Sequence, residues 1–347
     1  MKRFQTLGDY LLTARPEGSA GAAVIATIEA VADALLQIGD LVALGPLFGK
    51  LDTAGGGDGA DRPRATMELA AHEVLAEALA GAPVAALISG QDAGIRPMRA
   101  GAPLLVAAAA LEGSSNIEAD APVGTIFSII PVVPEATAGE ATIVPPGASQ
   151  LAAAYCIYGP QTLLVLTLGR GTQMFTLDTA VRQFRLTAPD VRITGAAREF
   201  AINLSNSRHW DPHIRGYIND CLAGEEGPRG CNYNMRWFGS VAADAHRIFA
   251  RGGVCLYPGD QRRGFSRGRL HLVYECNPIA FLVEQAGGRA TTGTQRILDV
   301  VPTAIHQHVP MAFGSREEIS MVERYYTDSD LNGVRSQLFN RRSLLRA

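Results

Sequence analysis

Apolar positions recur along the chain in two rhythms. Between Gly21 and Leu44, residues Ile25, Ile28, Val31, Leu35 and Ile38 fall at near-helical spacing, which predicts a helix with one apolar face. Met67–Ala80 reads as a second helix, and Thr53–Arg64 (TAGGGDGADRPR) before it as a loop. Val84–Ile88, Leu104–Ala109 and Thr125–Val133 are apolar runs of strand length. Four more runs follow: Leu151–Tyr158, Thr162–Leu168, Gln173–Leu177 and Gln183–Leu186. Gly-Pro-Gln, Gly-Arg-Gly and Asp-Thr-Ala separate them, which predicts an antiparallel meander. The Gly169–Gly171 turn reads as a hairpin and not a phosphate loop, because no helix opens directly after it.

From about Arg198 strands and helices alternate. Strands are predicted at Phe200–Leu204, Val254–Tyr257, Leu270–Tyr274 and Met311–Phe313, and helices at Asp211–Cys221, Ser240–Ala250, Pro278–Ala286 and Arg316–Tyr326. That order predicts an α/β second region and divides the chain into 1–195 and 196–347.

Composition narrows the class. With 347 residues, 47% hydrophobic and 19% charged, the chain reads as a soluble globular protein large enough for two domains. A net charge of -3 argues against general nucleic-acid affinity. Lys2 and Lys50 are the only lysines, so an Arg at any one position says less than usual. The five cysteines form no C-x-x-C pair and read as reduced, buried thiols. The opening MKRFQTLGDYLLTARPEG lacks a signal-peptide core, and the uncharged stretch Ala141–Gly169 is broken by Pro145, Pro146, Gly159 and Pro160. A cytoplasmic protein without a membrane span is expected.

Three stretches carry candidate chemistry. Glu112 followed by Gly113-Ser114-Ser115-Asn116 combines a carboxylate with a turn able to form an anion nest, a phosphate-and-metal corner. Ala109 and Ala110 stand where a further carboxylate belongs. In Tyr274–Pro278, Glu275 falls at a predicted strand's C-terminal end, and Asn277 before Pro278 reads as a helix cap. Arg236, Trp237, Tyr257, Arg262, Arg263, Arg267 and Arg269 form either an anion-binding group or a solvated basic face. His306 and His308 lack a third metal ligand at sensible spacing and read as surface residues; His72, His209, His213, His246 and His271 are scattered. No His base for Ser114 or Ser115 is legible.

LEGSSNIEADAPVGTIFSI (Leu111–Ile129), NMRWFGSVAADAHRIFARGGVCLYP (Asn234–Pro258), LHLVYECNPIAFLVEQAGGRATTG (Leu270–Gly293) and LDVVPTAIHQHVPMAFGS (Leu298–Ser315) together resemble class 1 fructose-1,6-bisphosphatases. Before residue 100 the resemblance rests on spacing. It implies an α/β (α+β) chain with the layered αβαβα sugar-phosphatase fold, two stacked sheet–helix regions. The first region would hold the N-terminal helices, the metal/phosphate corner and the meander, the second the sugar-phosphate site. It further implies a homotetramer that uses Mg²⁺ or Mn²⁺ to remove the 1-phosphate of fructose 1,6-bisphosphate, in gluconeogenesis or carbon fixation.

Residue by residue, the resemblance places substrate binding on Gly113, Ser114, Ser115, Asn203, Arg236, Tyr257 and Arg269, with Arg236 serving a neighbouring subunit. It places metal binding on Leu111 (through its carbonyl), Glu112 and Glu275, and catalysis on Glu112, Glu275 and Glu68. The departures are specific. The family's D-P-L-D-G-S-S-N is A-A-L-E-G-S-S-N from Ala109, and its S-E-E is Ser89-Gly90-Gln91, followed by Asp92. Its water-activating Asp aligns with Met67, beside Glu68, and a phosphate-binding Tyr has become Trp237. The AMP-binding basic-aromatic pair falls on Pro103 and Leu104, so AMP inhibition is not expected. The expectation is a fructose-1,6-bisphosphatase with weakened or altered metal dependence. The alternative is an inactive relative that binds sugar phosphate or serves as a regulatory subunit beside an active paralogue. A related inositol-phosphate enzyme is disfavoured by Asn203, Arg236 and Tyr257.

Overall fold

A computed structural model describes residues 4–14, 20–48, 66–133, 144–328 and 331. The loop expected at Thr53–Arg64 lies outside them. Among the described residues, eight strands build the larger sheet: β1 (Val84–Ser89), β2 (Ile95–Pro97), β3 (Leu104–Glu112), β4 (Val123–Pro131), β5 (Ala152–Tyr158), β6 (Thr162–Thr167), β7 (Gln173–Asp178) and β8 (Gln183–Ala188). Their order is β2-β1-β3-β4-β5-β6-β7-β8. Only β1 and β3 pair in parallel; the meander from β4 to β8 is antiparallel throughout, as its turns predict. The short edge strand β2 escapes a pattern search, since its three residues include Pro97.

Helices α1 (Leu7–Thr13), α2 (Gly21–Leu44) and α3 (Thr66–Ala80) cover one face of this sheet. The apolar stripe Val24, Ile28, Val31, Leu35 and Ile38 is at most 1% exposed. Helix α2 with its following turn, Gly21–Phe48, is long and apolar enough to cross a membrane by composition; its packed stripe accounts for that apolarity. Strand β5 shows why the middle of the sheet carries no charge. Ala152, Ala154, Cys156 and Tyr158 face the α1–α3 core, while Ala153, Tyr155 and Ile157 face the core on the other side. Both faces are buried, so the period-two alternation separates two cores and not core from water.

The second region follows the same logic. β9 (Glu199–Ala201), β10 (Asn234–Met235), β11 (Val254–Tyr257), β13 (Arg289–Thr291) and β15 (Met311–Gly314) form a sheet in the order β10-β9-β11-β15-β13. β12 (Leu270–His271) pairs separately with β14 (His308–Val309). Helices α5 (Val241–Arg251) and α6 (Asn277–Gln285) lie between the two sheets, and α4 (Pro212–Leu222) and α7 (Arg316–Thr327) close the far side. The layers therefore run helix–sheet–helix–sheet–helix, the αβαβα order expected from sequence.

Three sequence readings are corrected. The strand expected over Phe200–Leu204 stops at Ala201, because the Asn203 side chain accepts the Ser205 N–H and starts a 3-10 turn, Leu204–His209. The strand expected to reach Tyr274 stops at His271 and becomes a π-helical turn, Leu272–Cys276. Asn277 does not cap α6: its N–H donates to the Leu272 carbonyl across the π turn, so the helix is entered without a side-chain cap.

Candidate active site

The corner is made where β3 ends. One extra residue bulges between Ala109, which pairs with Ile126, and Glu112, which pairs with Gly124. Such a bulge bends a strand and re-aims its side chains. Thr125 Oγ1 holds it by donating to the Ala110 carbonyl at 2.7 Å. Gly113 then takes a φ of 77°, the left-handed region that Gly occupies without strain, and opens the 3-10 turn Ser114–Ala119. Gly124 lets α5 approach: a Cβ there would lie 2.5 Å from the Ala242 Cβ.

Glu112 crosses that contact. Its carboxylate accepts the Ser240 hydroxyl at 2.6 Å and the N–H groups of Val241 at 2.8 Å and Ala242 at 3.1 Å. Burial pushes its carboxyl up to about 7, against the opposing hydrogen bond from Ser240. Ser114 donates to Glu68, which also accepts from Gln91 Nε2 at 3.3 Å. Glu68 therefore joins the corner, whereas Met67 points into the α1–α3 core at 1% exposure. Ser115 is exposed beside Ser114, and the Leu111 side chain is buried.

Glu275 does not sit at a strand end as expected. The π turn folds it back, so that Glu275 Oε2 accepts the His271 N–H at 2.7 Å and meets His271 Nδ1 at 3.0 Å. Burial acts to raise its carboxyl, but the His271 hydrogen bond and charge prevail and hold it below the ordinary carboxylate range. His306 and His308 are not the surface residues expected. His306 Nδ1 meets the Tyr274 hydroxyl at 3.2 Å, and the His308 ring lies 4.2 Å from that of His271.

Of the residues expected to bind sugar phosphate, Asn203 follows the C-terminal end of β9 and Tyr257 ends β11, two strands that pair in parallel; Arg236 follows β10 and Arg269 precedes β12. The C-terminal edge of parallel strands is the usual ligand edge of an α/β sheet. The Tyr257 ring packs on Trp237 with centroids 4.9 Å apart, and its hydroxyl donates to Asp244 Oδ2 at 3.5 Å. Asn116 Nδ2 donates to the Phe238 carbonyl at 2.9 Å, tying the Gly113–Asn116 turn to the loop that carries Trp237. Asn203 is turned to Ser205, whose hydroxyl donates to its Oδ1 at 2.6 Å. Arg236 is exposed, and Arg269 lies over the Phe265 ring at 4.0 Å. Arg262 is a structural partner of buried Asp260, at 2.5 Å, and not part of a basic face.

Sequence reasoning gave no site role to Ser240, Asp244 and His271, and read Gln91 only as a departure from the family's S-E-E. Ser240 after Gly239 was legible as an N-cap; Asp244 and His271 carry no signal until the layers bring them together.

A Gly-Ser-Ser-Asn turn set against a helix N-terminus, between two sheets of an αβαβα stack, is the architecture of a layered sugar phosphatase. Comparison with known proteins agrees. The domain described as "Fructose-1-6-bisphosphatase, N-terminal domain" matches residues 52–189, and its C-terminal counterpart matches residues 193–327. A "Fructose-1,6-bisphosphatase class 1" from Azorhizobium caulinodans is 49% identical over 88% of this chain and 94% of its own. One from Methylorubrum extorquens is 47% identical over 93% and 92%. The holo form of Leishmania major fructose-1,6-bisphosphatase superposes with a TM-score of 0.85 at 28% identity, covering 94% of this chain and 99% of that one. The chain belongs to the class 1 fructose-1,6-bisphosphatase family.

That family uses divalent metal ions. The donor set here does not fit a multi-carboxylate cage of hard cations. Gly90 and Ala109 offer no side-chain oxygen, Met67 is buried among apolar groups, and both Glu112 oxygens are committed to α5. Among the described residues no group of three His, Cys, Asp or Glu side chains is arranged to hold a metal ion.

Proposed function

We propose that the protein hydrolyses the 1-phosphate of fructose 1,6-bisphosphate, with a metal dependence weaker than or different from that of its relatives. The observation that carries this is 47% identity over 93% of the chain to a protein named for that activity. The retained phosphate turn supports it. In this reading the Gly113–Asn116 turn receives the 1-phosphate, and Trp237, Tyr257, Asn203 and Arg269 hold the rest of the sugar phosphate. Glu68, already accepting from Ser114, is the carboxylate placed to take a proton at the corner. Arg236, exposed on its loop, would serve a neighbouring subunit of a homotetramer. The division at about residue 195, Mg²⁺ or Mn²⁺ as the ion, a cytoplasmic location and a role in gluconeogenesis or carbon fixation belong to the same proposal.

The alternative, binding without turnover, alone or beside an active paralogue, is not favoured by the identity to proteins named fructose-1,6-bisphosphatase. Phosphate release from fructose 1,6-bisphosphate with Mg²⁺, with Mn²⁺ and with EDTA separates the two. Metal-dependent turnover near about 10 per second supports the first. No release above the EDTA control leaves the second.

A further inference from the structure

Helix α5 begins, like every helix, with N–H groups that lack an intrahelical partner. Here three of them have one within the chain: Val241 and Ala242 donate to the two Glu112 oxygens, and Ala243 donates to Ser240 Oγ at 3.3 Å; Asp244 then makes the first intrahelical bond, to the Ser240 carbonyl at 2.9 Å. The Ser240 hydroxyl donates back to Glu112 Oε2. The carboxylate thus lies at the positive end of the helix dipole, fixed by direct hydrogen bonds. It arrives there because Glu is one methylene longer than Asp, and because Gly124 lets α5 lie against β4. A hard cation at Glu112 would have to share a carboxylate that already accepts three hydrogen bonds, with one lone pair left on Oε1 and no side-chain oxygen from position 90 or 109 to complete its shell.

We infer that Glu112 is a positioning residue in this chain and not a metal ligand: it ties the phosphate-binding turn to the N-terminus of α5, so the site is preorganised without a divalent cation. The ligand half of this inference rests on the fructose-bisphosphate reading above, so its test includes two arms that need no sugar.

Mn²⁺ titrated into the full-length protein and followed by electron paramagnetic resonance should show no site tighter than about 1 mM. In EDTA, Glu112→Ala should lower the melting temperature by about 5 °C. Glu112→Gln, which keeps the length and one acceptor, should recover at least half of that loss. A micromolar Mn²⁺ site that Glu112→Gln abolishes would overturn the inference. So would a Glu112→Ala protein that melts with the wild type in EDTA. Calorimetry with fructose 1,6-bisphosphate completes the test. The wild-type Kd should agree within about twofold between EDTA and Mg²⁺, and Glu112→Ala should weaken binding about tenfold in both, with Glu112→Gln restoring most of it. Wild-type binding that tightens more than about tenfold with Mg²⁺ again overturns it. Absence of binding in either buffer sinks the fructose-bisphosphate reading, and the melts and the Mn²⁺ titration then decide the role of Glu112 alone.

Discussion

Gly113 and Ser240 approach so closely that a Cβ added to Gly113 would lie 2.6 Å from the Ser240 Cβ, while Gly113 itself holds a φ of 77°. Two strains therefore coincide at one position. Gly113→Ala should destabilise the protein by about 2–4 kcal/mol, combining left-handed strain with overpacking. It should also weaken phosphate binding, because Ser240 and Glu112 would be pushed apart. Urea unfolding and a fructose 1,6-bisphosphate titration check both; an unchanged unfolding midpoint would show that Ser240 yields freely.

A buried ion pair holds the second sheet to α5. Glu199 Oε2 lies 3.0 Å from Arg247 Nη1, with the two side chains 8% and 5% exposed, and Oε1 lies 2.7 Å from the exposed Arg251. Removing one partner of such a pair leaves an uncompensated charge. Glu199→Ala should cost about 3–5 kcal/mol in urea unfolding, whereas Arg251→Ala should cost under about 1 kcal/mol. Equal effects would mean that Arg247 finds another partner.

Asp244 supplies a pH dependence of known sign. Burial pushes its carboxyl up to about 6 from the ordinary 3.8, despite the N–H bond from Phe238. A raised folded pKa means that the native state binds the proton more tightly than the unfolded chain does. The stabilising share is complete below about pH 3.8, is lost as pH rises toward about 6, and is flat above. Asp244→Asn removes that slope. The wild-type stability minus that of the variant should fall by about 3 kcal/mol across this window. Parallel curves for the two proteins would show that Asp244 keeps its ordinary pKa.

Restoring the missing oxygens should restore metal binding. Ala109 is half-buried, and a Cβ at Gly90 would lie 3.3 Å from the Tyr274 hydroxyl, which must give by a few tenths of an ångström. Ala109→Asp with Gly90→Glu should raise Mn²⁺ affinity at least about tenfold over the wild type. No gain would mean that these positions do not face the same space.

Much of the scaffold was legible because its elements are locally determined. The α2 stripe, the meander from β4 to β8 and the Gly169–Gly171 hairpin follow from periodicity and turn chemistry, which need no distant partner. The short elements were not. β2 is too brief to show alternation, β12 keeps only the first two residues of the strand expected at Leu270–Tyr274, and α1 rests on a capping box between Thr6 and Asp9. At Tyr274–Asn277 strand and helix compositions are alike, and the π turn is stabilised by the Glu275–His271 contact it creates.

For the site, the sequence by itself determined which chemical groups are present: the Gly113–Asn116 turn, the substitutions at Gly90 and Ala109, and Glu in place of Asp at 112. It did not determine what they face. Whether Glu68 or Met67 points to the turn depends on helix phase against β3, and the structure chose Glu68. Whether Glu112 meets a cation or a helix depends on how closely α5 approaches β4, a distance that Gly124 permits and the interlayer core enforces. Covalent order limits the donors available, but only packing brings together groups more than a hundred residues apart, and their partners decide what each carboxylate does.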